Sequence, residues 1–193
     1  GRNASFDLGV YHQFVGNFIF LEPVEEQLVS LRGVFPVFQY QQTHARFSGV
    51  DLSGSYQFNR RFTYEVKGSL VRARDVNSDR FLPWIPSDRL ENRLRYHVAN
   101  SSKWEDSYLE LQHLFVARQN RYEAGSDYAE PPSSYQLIGA SAGTSYRLEK
   151  GSLSFNIAVN NLANVLYKEY MNRLRYYAHD TGRNITIRTI FKF

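Results

Sequence analysis

Most of the chain alternates between apolar and polar side chains, one residue at a time. From Ile185 to Phe193 the odd-numbered positions are Ile, Ile, Thr, Phe and Phe, whereas Thr186, Arg188 and Lys192 occupy even positions. Strand side chains change face at every residue, so this segment has an apolar face and a cationic face. A strand of this kind suits a barrel wall with one face in lipid and the other in an aqueous lumen.

The same alternation predicts about eight strands over the whole chain. They cover about residues 5–21, 37–58, 62–70, 89–98, 107–121 and 135–148, followed by two strands between residues 152 and 193. Short polar turns are predicted at Asn59–Arg61, Asn100–Asp106 and Glu149–Gly151, and long loops at Glu22–Pro36, Ala73–Ser87, Gln119–Ser134 and Ala163–Thr181. Short periplasmic turns alternating with longer extracellular loops are typical of membrane barrels, so the long loops are expected outside. The predicted fold class is therefore all-β, an antiparallel up-and-down β-barrel of outer-membrane type.

Composition changes this interpretation little. The mean hydropathy is -0.47, and no uninterrupted apolar stretch approaches the roughly 20 residues that a membrane helix requires. Membrane barrels escape that test, because only alternate residues face lipid. The chain has no Cys, which excludes a disulfide framework and thiol chemistry. The net charge of +4 includes no basic run longer than Arg60-Arg61, so charges along a lumen and in loops are favoured over nucleic-acid binding.

Three motifs resemble those of one family. The segment Val159–Asn164 reads Val-Asn-Asn-Leu-Ala-Asn, and Gly182-Arg183 and a terminal Phe193 follow it. This arrangement resembles the end of a TonB-dependent outer-membrane receptor, in which the penultimate strand ends in a Val-x-Asn-Leu-Phe-Asn type motif and the last strand follows Pro-Gly-Arg. Ala163 and Thr181 depart from the family's Phe and Pro. Upstream, Asp79–Arg89 contains Leu-Pro-Trp-Ile-Pro, and Phe47–Asp51 contains Gly-Val-Asp, which are similar to two further family segments.

The resemblance carries expectations about the whole protein. It implies a 22-stranded barrel with an N-terminal plug, driven by the inner-membrane TonB complex, in the outer membrane of a Gram-negative bacterium. Residues 1–193 would be the C-terminal segment of that barrel and supply wall and extracellular loops. The expected partners are outer-membrane lipid, the plug and remaining strands, the TonB complex through an N-terminal part, and a small ligand such as a ferric siderophore. Nucleic acid is not an expected partner.

Two groups of side chains are candidates for facing the ligand. Arg93 and Arg95, with Arg89 and with Arg72 and Arg74 on the neighbouring strand, would make a cationic lumen that concentrates anions. The alternative is that these guanidinium groups pair with nearby carboxylates such as Glu91, Glu65 or Asp75.

The second group lies near the C-terminus. Arg173, Arg175, Tyr176 and Tyr177 belong to a loop rich in Tyr and Arg that could stack on a ligand at the mouth. The alternative places several of these tyrosines, with Tyr167 and Tyr170, in the aromatic girdle at the membrane interface. Phe191 and Phe193 form the aromatic terminal signal of the last strand.

Catalysis, metal binding and cofactors are not expected. The five His residues lack ligand spacing, and no nucleophile elbow, phosphate-binding loop or dinucleotide fingerprint occurs. Two other architectures remain open: a complete eight-stranded outer-membrane barrel with a structural or adhesive role, and a soluble lipocalin-like binder. If the chain stands alone, its first and last strands are expected to meet near Phe14 and Ile187 and close a small barrel.

Overall fold

The computed structural model describes residues 3–193, apart from the side chains of residues 25–27. Eight antiparallel strands form one sheet in the order of the chain. The strands are β1 Ala4–Ser30, β2 Gly33–Gln57, β3 Phe62–Asp75, β4 Arg89–His97, β5 Trp104–Val116, β6 Tyr135–Arg147, β7 Ser152–Asn160 and β8 Asn184–Lys192. Within residues 3–193, no helix has the length and apolar character needed to cross a membrane. The up-and-down all-β fold is confirmed.

The first two strands are much longer than the sequence predicts. The predicted loop Glu22–Pro36 is wrong, because β1 and β2 continue as a hairpin that turns between Ser30 and Gly33. Pro23 and Pro36 misled the prediction, since proline usually interrupts a strand. Here both lie beside a register shift between Pro23 and Gln27, and β1 is an edge strand whose outer side needs no backbone donor within this sheet.

The remaining boundaries differ by less. β3 extends to Asp75, five residues beyond the predicted end, because Ala73 and its neighbours are covered by the following loop. β5 ends at Val116 rather than Arg121, and the buried Gln119 already lies in the next loop. Loops 76–88, 117–134 and 161–183 lie at the same end of the sheet as the β1–β2 turn, while the short turns lie at the other. The predicted alternation of short and long connections is therefore found for three of the four long loops.

The expected closure into a small barrel is wrong. β1 pairs only with β2 and β8 only with β7 in the sheet of the described residues, so Phe14 and Ile187 are not joined. The sheet is open and both of its edges carry backbone groups without a strand partner in this chain. Such edges are costly in lipid and sticky in water, so the chain has the architecture of a wall segment rather than of a closed barrel.

The two faces of the sheet differ in chemistry. Residues directly opposite in the ladder share a face, and one face carries exposed apolar side chains such as Val10, Leu94, Leu111 and Ile187. We call this the outer face. The opposite, inner face holds the ion pairs of Arg93 and Arg95. Near the long loops it also holds a small core, in which Ala45 and Ala73 of the sheet pack with Leu82 and Ile85 of loop 76–88.

Two glycines on the inner face make room for tyrosine rings. A Cβ at Gly49 would lie 2.3 Å from the Tyr11 ring, and one at Gly143 would lie 2.4 Å from the Tyr108 ring. Each ring therefore lies over the backbone of the neighbouring strand, and a side chain in place of either glycine would force the ring to move. Such aromatic–glycine pairs pin the register of adjacent strands.

The asparagines of the motif Val159–Asn164 shape the exit from β7. Asn161 is buried and has a φ of 49°, and its side chain bonds both backbone groups of Val165 at 2.8 and 2.9 Å. Asn164 accepts a hydrogen bond from the Arg183 N–H at 3.0 Å, and Arg183 Nε donates to the carbonyl of Leu162 at 2.9 Å. The motif thus ties the end of β7 to the start of β8. At Gly182, a Cβ would lie 2.7 Å from Asn164 Oδ1, which explains the glycine.

Candidate functional site

Ion pairs occupy the inner face where β4 and β5 meet. Arg93 Nε donates to Glu91 at 2.6 Å, and Arg95 Nε donates to Glu110 at 2.7 Å. Only 5% of the Glu110 side chain is exposed, and it also accepts from Gln112 at 2.6 Å. The predicted residues Arg93 and Arg95 therefore face the lumen side, as opposed to lipid, but each already has a carboxylate partner. Buried-facing charges are normally paired in this way.

Arg72 and Arg74 do not belong to this group. Arg93 lies opposite Glu65 in the ladder, so the odd positions of β3 share its face. Arg72 and Arg74 occupy even positions and project from the outer face. The predicted cationic file that joins the two strands is wrong, because the sequence did not reveal the register between β3 and β4.

The long loops pack together through a buried ion pair. Arg175 is 2% exposed and pairs with Asp127, which is 10% exposed and lies in loop 117–134. Asp127 also accepts a hydrogen bond from the Tyr176 hydroxyl, and Arg175 donates to the carbonyl of Glu130 at 3.2 Å. We call Asp127, Arg175 and Tyr176 the loop clamp. It joins two loops whose partner residues are 48 or 49 positions apart.

Aromatic rings surround the loop clamp. The Arg175 guanidinium lies 5.0 Å from the centroid of Tyr170 and 5.7 Å from that of Trp84, and these two rings stack at 6.0 Å. Burial raises the pKa of Tyr170. Burial and the hydrogen bond to Asp127 also raise the pKa of Tyr176. The tyrosines Tyr170 and Tyr176 thus serve loop packing rather than the aromatic girdle that the sequence suggested.

The other two candidate residues of this loop remain accessible. Arg173 is exposed and lies 5.5 and 5.6 Å from the ring centroids of Phe38 and Trp84. Tyr177 is 60% exposed. Together with Lys168, Arg175 and Tyr176, Tyr177 lines a cavity of about 250 Å³ against the β1–β2 hairpin. The structure therefore brings together three of the four predicted mouth residues, Arg175, Tyr176 and Tyr177, around one cavity.

A polar cavity on the inner side was not anticipated from the sequence. It has a volume of about 230 Å³ and lies between the β1–β2 hairpin and the loops, with Glu22, Gln41, Asp75, Arg80 and Glu123 in its wall. Of these wall residues only Glu22 lies in the predicted loop Glu22–Pro36; the others come from β2, β3 and two later loops, which no sequence pattern relates. In the hairpin, Gln41 of β2 lies across this cavity from Arg80 and Glu123, which belong to two of the long loops.

A family model supplies the decisive comparison. The model described as "TonB dependent receptor-like, beta-barrel" matches residues 1–162. The chain belongs to this family. The receptor barrels of this family lie in the outer membrane of Gram-negative bacteria, and the chain lies there too. This family is one of transporters rather than of enzymes.

Solved structures agree with the family in fold. The chain "Copper transporter OprC" superposes with a TM-score of 0.78 at 21% sequence identity. The alignment covers 100% of the present chain and 29% of OprC, so the chain spans less than a third of that transporter's length. No curated protein sequence matches the chain.

Two aromatic residues at the end of β8, predicted as a terminal signal, lie on the outer face. The rings of Phe191 and Phe193 are 6.0 Å apart and both are exposed. Aromatic residues at this position fit the interface between lipid and water. Across the described residues, no group of three or more His, Asp or Glu side chains is arranged to hold a metal ion.

Proposed function

We propose that this chain forms part of the wall and outer mouth of a TonB-dependent transporter, and that the transported ligand is a small anionic chelate such as a ferric siderophore. The wall would be completed by further strands, and the plug and TonB contacts would come from other parts of the same receptor. Family membership supports the transport class, and the open edges of β1 and β8 support the need for further strands.

The observation that carries the ligand class is the cavity at the mouth. Lys168 brings positive charge to a site whose remaining wall includes the rings of Tyr176 and Tyr177, whereas the charge of Arg175 in the same wall is paired with Asp127. Arg173 adds an exposed guanidinium over Phe38 and Trp84. Cationic groups attract anionic ligands, and tyrosine rings offer flat surfaces on which aromatic chelating groups stack. The Arg175 Nε is buried and has no hydrogen-bond acceptor among the described residues, so it retains a donor.

Uptake by whole cells tests the proposal. Cells that lack their own receptors and express this one would be supplied with radiolabelled iron bound to a panel of catecholate and hydroxamate chelators, with and without a functional TonB. Iron uptake that requires both the receptor and TonB is expected. Copper uptake without iron uptake would contradict the ligand class while leaving TonB-dependent transport in place. Absence of any TonB-dependent uptake across a broad panel would contradict the transport proposal.

A pair of variants locates the ligand. Lys168→Gln and Tyr177→Ala alter the half-buried and the exposed part of the cavity wall, and each is expected to raise the KM for uptake about tenfold, the value of one charged or stacking contact. Arg147→Gln, at the opposite end of the barrel where Arg147 pairs with Glu105, is the matched control and should leave KM unchanged. Equal effects of all three variants would contradict ligand binding at this cavity.

A further inference from the structure

Three arginines on β2 and β3 face outward at the level where β3 ends. Arg46 lies directly opposite Arg74 in the ladder, and Arg72 lies opposite Ser48. All three share the outer face with Val50 and Leu70, which lie nearer to the short turns on the same strands. Charged side chains are costly on a lipid-facing surface at the middle of the membrane. Whether these arginines lie beside acyl chains or beside lipid headgroups therefore depends on their depth in the membrane.

The depth follows from strand geometry. Phe62 starts β3 beside the short turns, and Arg72 lies ten residues further along the same face. At about 3.3 Å per residue and a tilt of about 40°, ten residues climb roughly 25 Å. This matches the height of about 25 Å for the apolar band of a membrane barrel. Arg72 and Arg74 thus lie at the outer-leaflet headgroups, and Phe14, exposed in the same ladder row as Arg46, is an aromatic residue at that level.

Each of two carboxylates holds two of the guanidinium groups. Asp79 pairs with Arg46 at 3.3 Å and with Arg74 at 3.0 Å. Asp88 pairs with Arg72 at 2.6 Å and with Arg121 at 2.9 Å. Each group contains one carboxylate and two guanidinium groups, so each has a net charge of +1. The two groups together give the rim a net charge of +2.

The arginines are also held in place. Arg74 donates to the Asp79 carbonyl at 2.7 Å and lies 4.2 Å from the centroid of the Phe81 ring. Arg72 makes a two-pronged contact with Asp88 at 2.6 and 2.9 Å. Side chains held in this way lose little conformational freedom when they bind an anion. Arg46 and Arg74 stay partly exposed, with 43% and 37% of their side chains accessible.

We propose that this outward rim binds the phosphate groups of a phosphorylated outer-leaflet lipid. Planar guanidinium groups match phosphate oxygens in pairs, and such charge-assisted contacts are among the strongest hydrogen bonds in proteins. A lipid headgroup is favoured over free phosphate because the rim lies directly above the apolar outer face, so acyl chains and headgroup are bound together. The site rests on the outer-membrane position of the barrel and is separate from the ligand cavity at the mouth.

Binding of defined lipids to the intact, purified receptor tests the proposal. Native mass spectrometry in mild detergent would measure retention of diphosphoryl lipid A, with phosphatidylcholine as the neutral comparison and excess inorganic phosphate as competitor. The double variant Arg46→Gln/Arg74→Gln is expected to weaken retention of lipid A about tenfold. Arg60→Gln/Arg61→Gln, two adjacent exposed arginines in a short turn, is the matched control and should retain lipid A normally.

A third variant shows whether a loss of lipid binding comes from the lost charge or from misfolding. Asp79→Asn removes the carboxylate between Arg46 and Arg74, so it should bind lipid A at least as tightly as the wild type. Equal retention by wild type and the Arg46→Gln/Arg74→Gln variant would overturn the proposal, and so would loss of binding in Asp79→Asn. Displacement by inorganic phosphate alone would show an anion site without lipid selectivity and would also overturn it. Iron uptake should be unchanged in all these variants, so a failure here is distinct from a failure of the transport proposal.

Discussion

The loop clamp makes a quantitative prediction. Asp127→Asn keeps the size of the side chain but removes the charge that pairs with Arg175, which is 2% exposed. Leaving one partner of a buried ion pair uncompensated costs about 3–5 kcal/mol. Since about 1.4 kcal/mol is a factor of ten, local opening of the loops should become roughly 140- to 4,000-fold more frequent. The strands should keep their stability, because Asp127 bonds only within the loops.

Hydrogen exchange measures this opening directly. The amides of Tyr177 and Ala178 donate to the Leu174 carbonyl at 2.9 and 3.0 Å and report on the loop. Their protection should fall by the same roughly 140- to 4,000-fold factor in Asp127→Asn, while amides of β6 stay protected. The comparison variant is Asp180→Asn. It changes a carboxylate in loop 161–183, the loop of the two reporter amides, that bonds Glu169 and Asn172 rather than Arg175. Unchanged protection of Tyr177 and Ala178 in Asp127→Asn would refute the reasoning that the buried pair holds the loops together.

Three further predictions follow from single residues. Gly143→Ala should lower the free energy of unfolding by about 1–3 kcal/mol in urea titration, because its Cβ meets the Tyr108 ring, whereas Gly9→Ala, with nothing nearer than 3.9 Å, should have a smaller effect. Asn161→Ala should cost about 1–3 kcal/mol in the same titration through two lost hydrogen bonds, and a stability equal to wild type would contradict that role. The raised pKa of Tyr176 means that its stabilising contribution is complete below about pH 10 and is lost as pH rises above it. Ultraviolet titration against Tyr176→Phe should show no ionisation of Tyr176 below that pH, and ionisation there would contradict the clamp.

Sequence alternation predicted the sheet well because a membrane wall imposes period two on nearly every strand. β6, β7 and β8 lie within a few residues of their predicted limits. The β1–β2 hairpin was missed because proline usually interrupts a strand. The sequence does not show that Pro23 and Pro36 lie beside a register shift, or that neither has a strand on its other side.

The candidate site was only partly predictable. The Tyr- and Arg-rich composition of the last loop pointed to the mouth, and three of its four named residues line the cavity there. The partner of Arg175 lies 48 residues away in another loop, and no periodic pattern relates two loops. The prediction that Arg72 and Arg74 share a face with Arg93 and Arg95 was wrong for a related reason. The register between two strands decides which of their residues share a face, and the sequence does not show that register.

The most direct test of the account concerns the free edge of β8. If the chain is a wall segment of a larger receptor barrel, the β8 amides that point away from β7 must pair with another strand of the intact receptor. Hydrogen exchange of Asn184–Lys192 in the membrane-embedded receptor measures this pairing. The account predicts that all amides of β8 are strongly protected, as in a continuous sheet. Rapid exchange of every second amide along β8 would contradict it, because the edge would then be open in the working protein.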